Sequence, residues 1–158
     1  MSDTVSAVGR RSNWTPALPA NMVASMLNTG TSIAVVDDDL PVRKALVRLL
    51  GARCFKAVTY GSAQEFINSL ARGVPECLIV DLQMPEMTGL ELQHHLDRVG
   101  VHIPTVVITA YDEPGIRDQC LAAGALAYLI KPLDEKRLIS VVAKALATMP
   151  RPHALARG

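Results

Sequence analysis

The sequence predicts an α/β fold, a doubly wound five-stranded parallel sheet with helices on both faces. Three observations predict it. Short apolar runs of strand length alternate along the chain with segments whose apolar residues recur at helical spacing. The strand-length runs are apolar throughout, which requires cover on both faces of the sheet. Several of them end in groups able to do chemistry: Asp37-Asp38-Asp39, Asp81, Thr109 and Lys131.

Ser32 to Val36 opens the pattern as a buried strand. Pro41 suits the first turn of a helix in which Val42, Ala45, Leu46, Leu49 and Leu50 share a face. Gly51 is expected to close that helix. Phe55 to Thr59 reads as a second, weaker strand, and Ser62 with Glu65 forms a capping-box pattern opening a helix through Leu70. Cys77 to Val80 is the third strand, ending at Asp81. Thr88 with Glu91 repeats the capping box for a helix to about Leu96. Pro104 to Ile108 makes the fourth strand, ending at Thr109, and Pro114 and Gly124 bracket the next helix. Leu126 to Ile130 is the fifth strand, ending at Lys131-Pro132. Leu138, Val141, Val142, Ala145 and Leu146 line the last helix, which Pro150 and Pro152 terminate. Right-handed crossovers favour the flavodoxin-like strand order 2-1-3-4-5.

With 158 residues, 49% hydrophobic and 20% charged, the chain has the size and composition of one globular domain. Its 16 Lys and Arg against 15 Asp and Glu leave a net charge of +1. That balance gives no electrostatic footprint for nucleic acid or an anionic membrane. No apolar run approaches bilayer-spanning length. The three cysteines, Cys54, Cys77 and Cys120, lie in apolar sequence without a C-x-x-C pair, and suit small buried hydrophobes in the reducing cytoplasm. Residues 1–30, rich in Ser, Asn, Thr, Pro and Ala, read as a flexible N-terminal extension, or as upstream of a true start at Met22 or Met26. Arg10-Arg11 lacks the apolar stretch of a twin-arginine signal. The expected organisation is an extension over 1–30, one domain over 31–149 and a short tail over 150–158.

Functional groups of such a sheet gather at the carboxyl ends of its strands, at the switch point. With strands one and three adjacent, Asp37, Asp38 and Asp81 converge there. Three carboxylates that close repel, and a hard divalent cation with oxygen ligands, Mg²⁺ best of all, relieves the repulsion. One carboxylate beside such a cation can attack phosphorus and become an aspartyl phosphate. That chemistry needs positioning and charge neutralisation, and the Lys131 ammonium supplies part of the latter. The Thr109 hydroxyl can donate to a phosphoryl oxygen, a contact that exists only in the phosphorylated state.

Val35-Val36-Asp37-Asp38-Asp39, Asp81-Leu82-Gln83-Met84-Pro85-Glu86-Met87-Thr88-Gly89, Thr109-Ala110 and Lys131-Pro132 together resemble the receiver domains of bacterial two-component response regulators. The resemblance covers about residues 31 to 149, and Val42-Arg43-Lys44 leans toward receivers of nitrogen-fixation-type regulators. It implies that Asp81 is the phosphoacceptor and Asp38 a direct metal ligand, with Asp37 acting through water and Gln83 through its backbone carbonyl. Thr109 and Lys131 become the switch hydroxyl and the phosphate-binding lysine, and Lys131-Pro132 a cis bond. Tyr128 matches the aromatic that moves inward as Thr109 engages phosphate, and Tyr111 is placed to shield the acyl phosphate. The implied donor is a sensor histidine kinase or a histidine phosphotransfer protein. The implied output surface is the fourth helix, fifth strand and fifth helix, with a homodimer on phosphorylation.

Other readings stand beside these. Asp39 before Leu40-Pro41 is expected to cap the helix. His94 and His95 face different directions on a helix and cannot chelate together, while Met84 and Met87 are expected to pack. Asp37-Asp38-Asp39 also matches the Asp-x-Asp of haloacid-dehalogenase-type phosphatases, with Asp37 as nucleophile, but leaves Asp81 and its loop unexplained. A pseudo-receiver that binds partners without phosphorylation is the second alternative. Nine residues after Met149 leave no room for a DNA-binding domain, so output is expected by docking, or by transcription within a longer regulator.

Overall fold

A computed structural model describes residues 32–147. The expected extension, the expected tail, Pro150 and Pro152 lie outside the described residues. Five parallel strands form one sheet: β1 (Ser32–Val36), β2 (Lys56–Tyr60), β3 (Cys77–Asp81), β4 (Thr105–Thr109) and β5 (Ala125–Ile130). Their order is β2-β1-β3-β4-β5, as the sequence predicts. The connecting helices are α1 (Leu40–Ala52), α2 (Ala63–Ser69), α3 (Gly89–Arg98), α4 (Ile116–Ala122) and α5 (Glu135–Ala147), with a 3-10 turn at Leu70–Arg72.

β1, β3 and β4 sit inside the sheet, and β3 and β4 are buried at every position. Alternate residues therefore feed two cores. Ile33, Val35, Ile79, Val106 and Ile108 face α1 and α5, packing against Leu46, Leu50, Leu138 and Val142. Val36, Leu78, Val80 and Val107 face the other way, against Phe66, Leu92, Leu96 and Cys120 of α2, α3 and α4. The registers Ile33↔Cys77 and Val36↔Val80 bring the ends of β1 and β3 level, which places their terminal acids side by side.

Several local expectations need correction. Gly51 lies inside α1; the chain leaves the helix through Arg53, and Cys54 takes the left-handed conformation (φ 66°) that glycine would hold more easily. Cys54 is also exposed, so only Cys77 and Cys120 are the buried hydrophobes expected of all three. Asp39 occupies the N-cap of α1 but its side chain makes no cap bond. Its own N–H donates instead to Asp37 Oδ1 at 2.9 Å. α2 stops at Ser69, one residue short of the expected Leu70. α4 begins at Ile116, behind Gly115 at φ 82°, two residues after the Pro114 expected to open it. The Thr88–Glu91 capping box is complete, and Gly124 at φ 107° closes α4. Met84 packs in the core and Met87 against it.

Candidate functional site

Asp37 and Asp38 follow β1, and Asp81 is the last residue of β3. One carboxylate oxygen from each can be chosen so that all three lie within 4.8 Å of one another. Asp37 is fully buried and Asp81 is 5% exposed, while Asp38 is open to solvent. Opposite them, Lys131 Nζ donates to Asp37 Oδ2 at 3.0 Å and stands 3.4 Å from Asp81 Oδ1. The Lys131 N–H donates to the Thr109 carbonyl at 2.8 Å, and the Lys131-Pro132 bond is cis, as expected from sequence. Both carboxylate oxygens of Asp37 are thus engaged, one by Lys131 and one by the Asp39 amide. Arg43 reaches back from α1 to donate to the Asp37 carbonyl at 2.6 Å.

Electrostatics follow from this packing. Burial pushes the Asp81 carboxyl up from 3.8 to about 6, the Asp37 charge adds to the rise, and Lys131 opposes it. Burial pulls Lys131 down, but its bond to Asp37 and the charges of Asp37 and Asp81 more than offset that, leaving it raised. The crevice gathers three carboxyl groups opposite one ammonium. This oxygen-rich donor set fits a hard divalent cation such as Mg²⁺.

The loop after Asp81 is tightly built. Met87 N–H donates to the Pro85 carbonyl at 2.7 Å across Glu86, which sits at φ 70°, a γ-turn of the rarer hand. Gly89 then passes so close beneath the loop that a Cβ there would meet the Asp81 carbonyl oxygen at 2.6 Å. The sequence does carry a signal for this. That signal is the glycine directly after the capping threonine, a residue without a Cβ where the chain passes close to backbone. Gln83, two residues past Asp81, is exposed and its amide Nε2 donates to Glu113 Oε1 at 3.0 Å, a contact no sequence pattern announces.

Thr109 ends β4 beside these acids and is fully buried, but its hydroxyl is committed elsewhere. Thr109 Oγ1 donates to the Tyr111 carbonyl at 2.9 Å and accepts from the Tyr111 N–H at 3.1 Å. Tyr111 itself is 66% exposed. Tyr128 lies away from the carboxylates, in the core under α4, only 2% exposed. Its ring is inside the core while the Thr109 hydroxyl holds Tyr111. The Tyr128 hydroxyl has no hydrogen-bond partner among the described residues. Burial raises its pKa, and the nearby Asp112 raises it further.

The chain matches the response regulator receiver domain family over residues 33–143. It is a receiver domain of response regulators. The receiver is 31% identical over 118 residues to nodulation protein W of Bradyrhizobium diazoefficiens, covering 75% of this chain and 52% of that protein. It is 32% identical over 126 residues to the response regulator protein TodT of Pseudomonas putida, covering 80% and 56%. Against the solved structure of a response regulator receiver protein from Burkholderia phymatum, it is 40% identical with a TM-score of 0.66, covering 77% and 98%. The FixJ-N crystal structure gives 28% identity and a TM-score of 0.72, covering 78% and 99%. The chain spans about half the length of the curated relatives it matches. Membership of this family displaces the dehalogenase-type reading, and no helix among the described residues is long and apolar enough to cross a membrane.

Proposed function

We propose that this receiver is a phosphorylation-dependent switch of a two-component system, taking a phosphoryl group on Asp81 from a histidine kinase or histidine phosphotransfer protein. The observation that carries this reading is the convergence of Asp37, Asp38 and Asp81 opposite Lys131, with the Thr109 hydroxyl at the next strand end. Asp38, the exposed member, and Asp81 would hold Mg²⁺ directly, with the Gln83 carbonyl, while Asp37 acts through water because its own oxygens are already bonded. Bound Mg²⁺ would neutralise charge on the transferring phosphoryl group.

An Asp81 carboxylate oxygen attacks phosphorus and the donor's leaving group departs. With a pKa of about 6 the carboxyl is mostly ionised at pH 7, as a nucleophile must be. The new phosphoryl oxygens take the Lys131 ammonium, which already stands 3.4 Å from Asp81. They also offer the Thr109 hydroxyl an acceptor stronger than the Tyr111 carbonyl. Exchange of that bond changes the β4–α4 loop, and with it the surface of α4, β5 and α5 that we assign to output, by docking or by phosphorylation-dependent pairing of two copies. The receiver catalyses only its own phosphorylation and dephosphorylation. A pseudo-receiver is disfavoured because every one of these groups is retained and brought together.

Acetyl phosphate with Mg²⁺ should add one phosphoryl group by intact mass, and Asp81→Asn should accept none. Labelling of Asp81→Asn at the wild-type rate would overturn the assignment. Asp38→Ala should blunt the Mg²⁺-dependent rise in melting temperature that a ligand of the folded state produces. An unchanged Mg²⁺ titration would remove Asp38 from the metal site.

A further inference from the structure

We propose that Glu113 is a positioning residue, which acts through Gln83 to hold the β4–α4 loop in its unswitched register and so slows phosphorylation of Asp81. This rests on the reading of Asp81 as phosphoacceptor and adds a residue which that reading does not use. The loop concerned, residues 110–115, is exposed at every position and buries nothing that would fix its place. It contains Gly115 at φ 82°, and the helix it enters has no side-chain cap. Its place is therefore set by polar contacts. Two of these are the bonds between the Thr109 hydroxyl and the backbone of Tyr111. A third is Gln83 Nε2 donating to Glu113 Oε1 at 3.0 Å, which joins the loop leaving β3 to the loop leaving β4 across 30 residues of sequence. The Ile116 N–H bond to the Glu113 carbonyl at 3.2 Å is internal to the turn into α4.

The three contacts belong to one arrangement. The Thr109 hydroxyl cannot turn to a phosphoryl oxygen while it donates to Tyr111, because a hydroxyl has one proton to give. Turning it frees Tyr111, and Tyr111 is two residues from Glu113. The strap from Gln83 resists that movement. It also draws the Gln83 amide toward Glu113, although Gln83 lies in the same loop as the reacting carboxylate. Phosphorylation places further negative charge near Glu113 and offers the Gln83 amide a competing acceptor, so the strap is weaker in the phosphorylated state. Loss of the strap must therefore favour that state.

The test compares wild type with Glu113→Ala, Glu113→Gln, Gln83→Ala and the Gln83→Ala/Glu113→Ala pair. Two readouts are taken: the rate of phosphorylation by acetyl phosphate with Mg²⁺, and amide exchange of residues 110–115 without phosphate. Glu113→Ala and Gln83→Ala should each speed phosphorylation by about two- to fivefold, the range open to one exposed contact. The pair should add nothing beyond either single change. Exchange in the loop should rise alike in all three. Glu113→Gln keeps an acceptor oxygen, and it should stay near wild type in both readouts. If Glu113→Gln matched Glu113→Ala, the effect would be one of charge and the strap would be refuted. Additive rates in the double variant, or unchanged rates in both single variants, would refute it as well. If no protein in the series took up phosphate while loop exchange still responded to Glu113→Ala, the phosphoacceptor reading would have failed, and the strap would be a structural contact only.

Discussion

The two faces of the sheet are built to different standards. Over one, α1 and α5 each run 13 residues and bury Leu46, Leu50, Leu138, Val142, Ala145 and Leu146 against aliphatic strand residues. Over the other, α2 and α4 run only seven residues, and α4 starts behind an exposed loop without a side-chain cap. Both buried polar atoms that lack a partner among the described residues, Gln93 Oε1 and the Tyr128 hydroxyl, lie on this second side. Gln93 spends its amide on the Cys120 carbonyl at 3.2 Å, a polar tie between α3 and α4. A long aliphatic helix packed into matching grooves has one good position. A seven-residue helix entered through an exposed loop and packed over an unsatisfied hydroxyl has a shallower minimum, and elements that move are drawn from such regions. The carboxylates sit at the ends of β1 and β3, and under the proposed function the firm half would fix the chemistry while the yielding half reports it.

The sharpest way to break this comparison is to weaken the firm side. Leu138→Ala, at a fully buried position under α5, should cost about 2–5 kcal/mol and lower the urea midpoint of the whole domain in one transition. A loss under 1 kcal/mol would mean that this face is not the anchor. Gly89→Ala comes next. Its Cβ meets backbone rather than a flexible side chain, so a cost of about 1–3 kcal/mol is expected. Asp81 phosphorylation should fall with it, because the carbonyl that must shift belongs to Asp81. Wild-type phosphorylation in a destabilised Gly89→Ala would separate the loop from the site.

A pH titration of the metal-free protein tests the junction between the halves. The folded Asp81 carboxyl titrates near 6, above its ordinary value of 3.8, so between about pH 4 and 6 the folded state binds more protons than the unfolded chain. Stability contributed by this group is thus present at low pH and is lost as pH rises through 6. Asp81→Asn should remove that slope and stabilise the metal-free protein at neutral pH. A slope that survives the substitution would place its origin elsewhere. The smallest effect is expected from Tyr128→Phe, which deletes a buried hydroxyl without a partner. It should be neutral or stabilising by up to about 1 kcal/mol in urea unfolding. A clear loss of stability would reveal a partner for that hydroxyl and make the second face firmer than described.

Much of this was legible in the chain. The apolar runs located all five strands to within a residue, most directly the inner strands β3 and β4, which are buried at every position. Thr88 and Glu91 announced α3, since a capping box involves only residues three apart. The acids, the lysine and the threonine at the strand ends followed from strand order alone, as Val36↔Val80 pairing leaves Asp37 and Asp81 no other place. Expectations failed where a local rule met a tertiary demand. Gly51 reads as a stop but continues α1, and Cys54 turns the chain in its stead. Asp39 reads as a cap, but its side chain makes no cap bond and its own N–H is taken by Asp37 Oδ1.

Sequence by itself determined which groups meet at the crevice, because strand period and crossover handedness are set by local backbone chemistry repeated along the chain. The tertiary structure decided what each of those groups is bonded to. Lys131 holds Asp37 more closely than Asp81, the Thr109 hydroxyl is spent on Tyr111, and Gln83 leans to Glu113. Lys131 and Asp37 stand 94 residues apart and Gln83 and Glu113 stand 30 apart. A hydrogen bond forms or fails over a few tenths of an ångström, and at such separations those distances exist only once the sheet has closed.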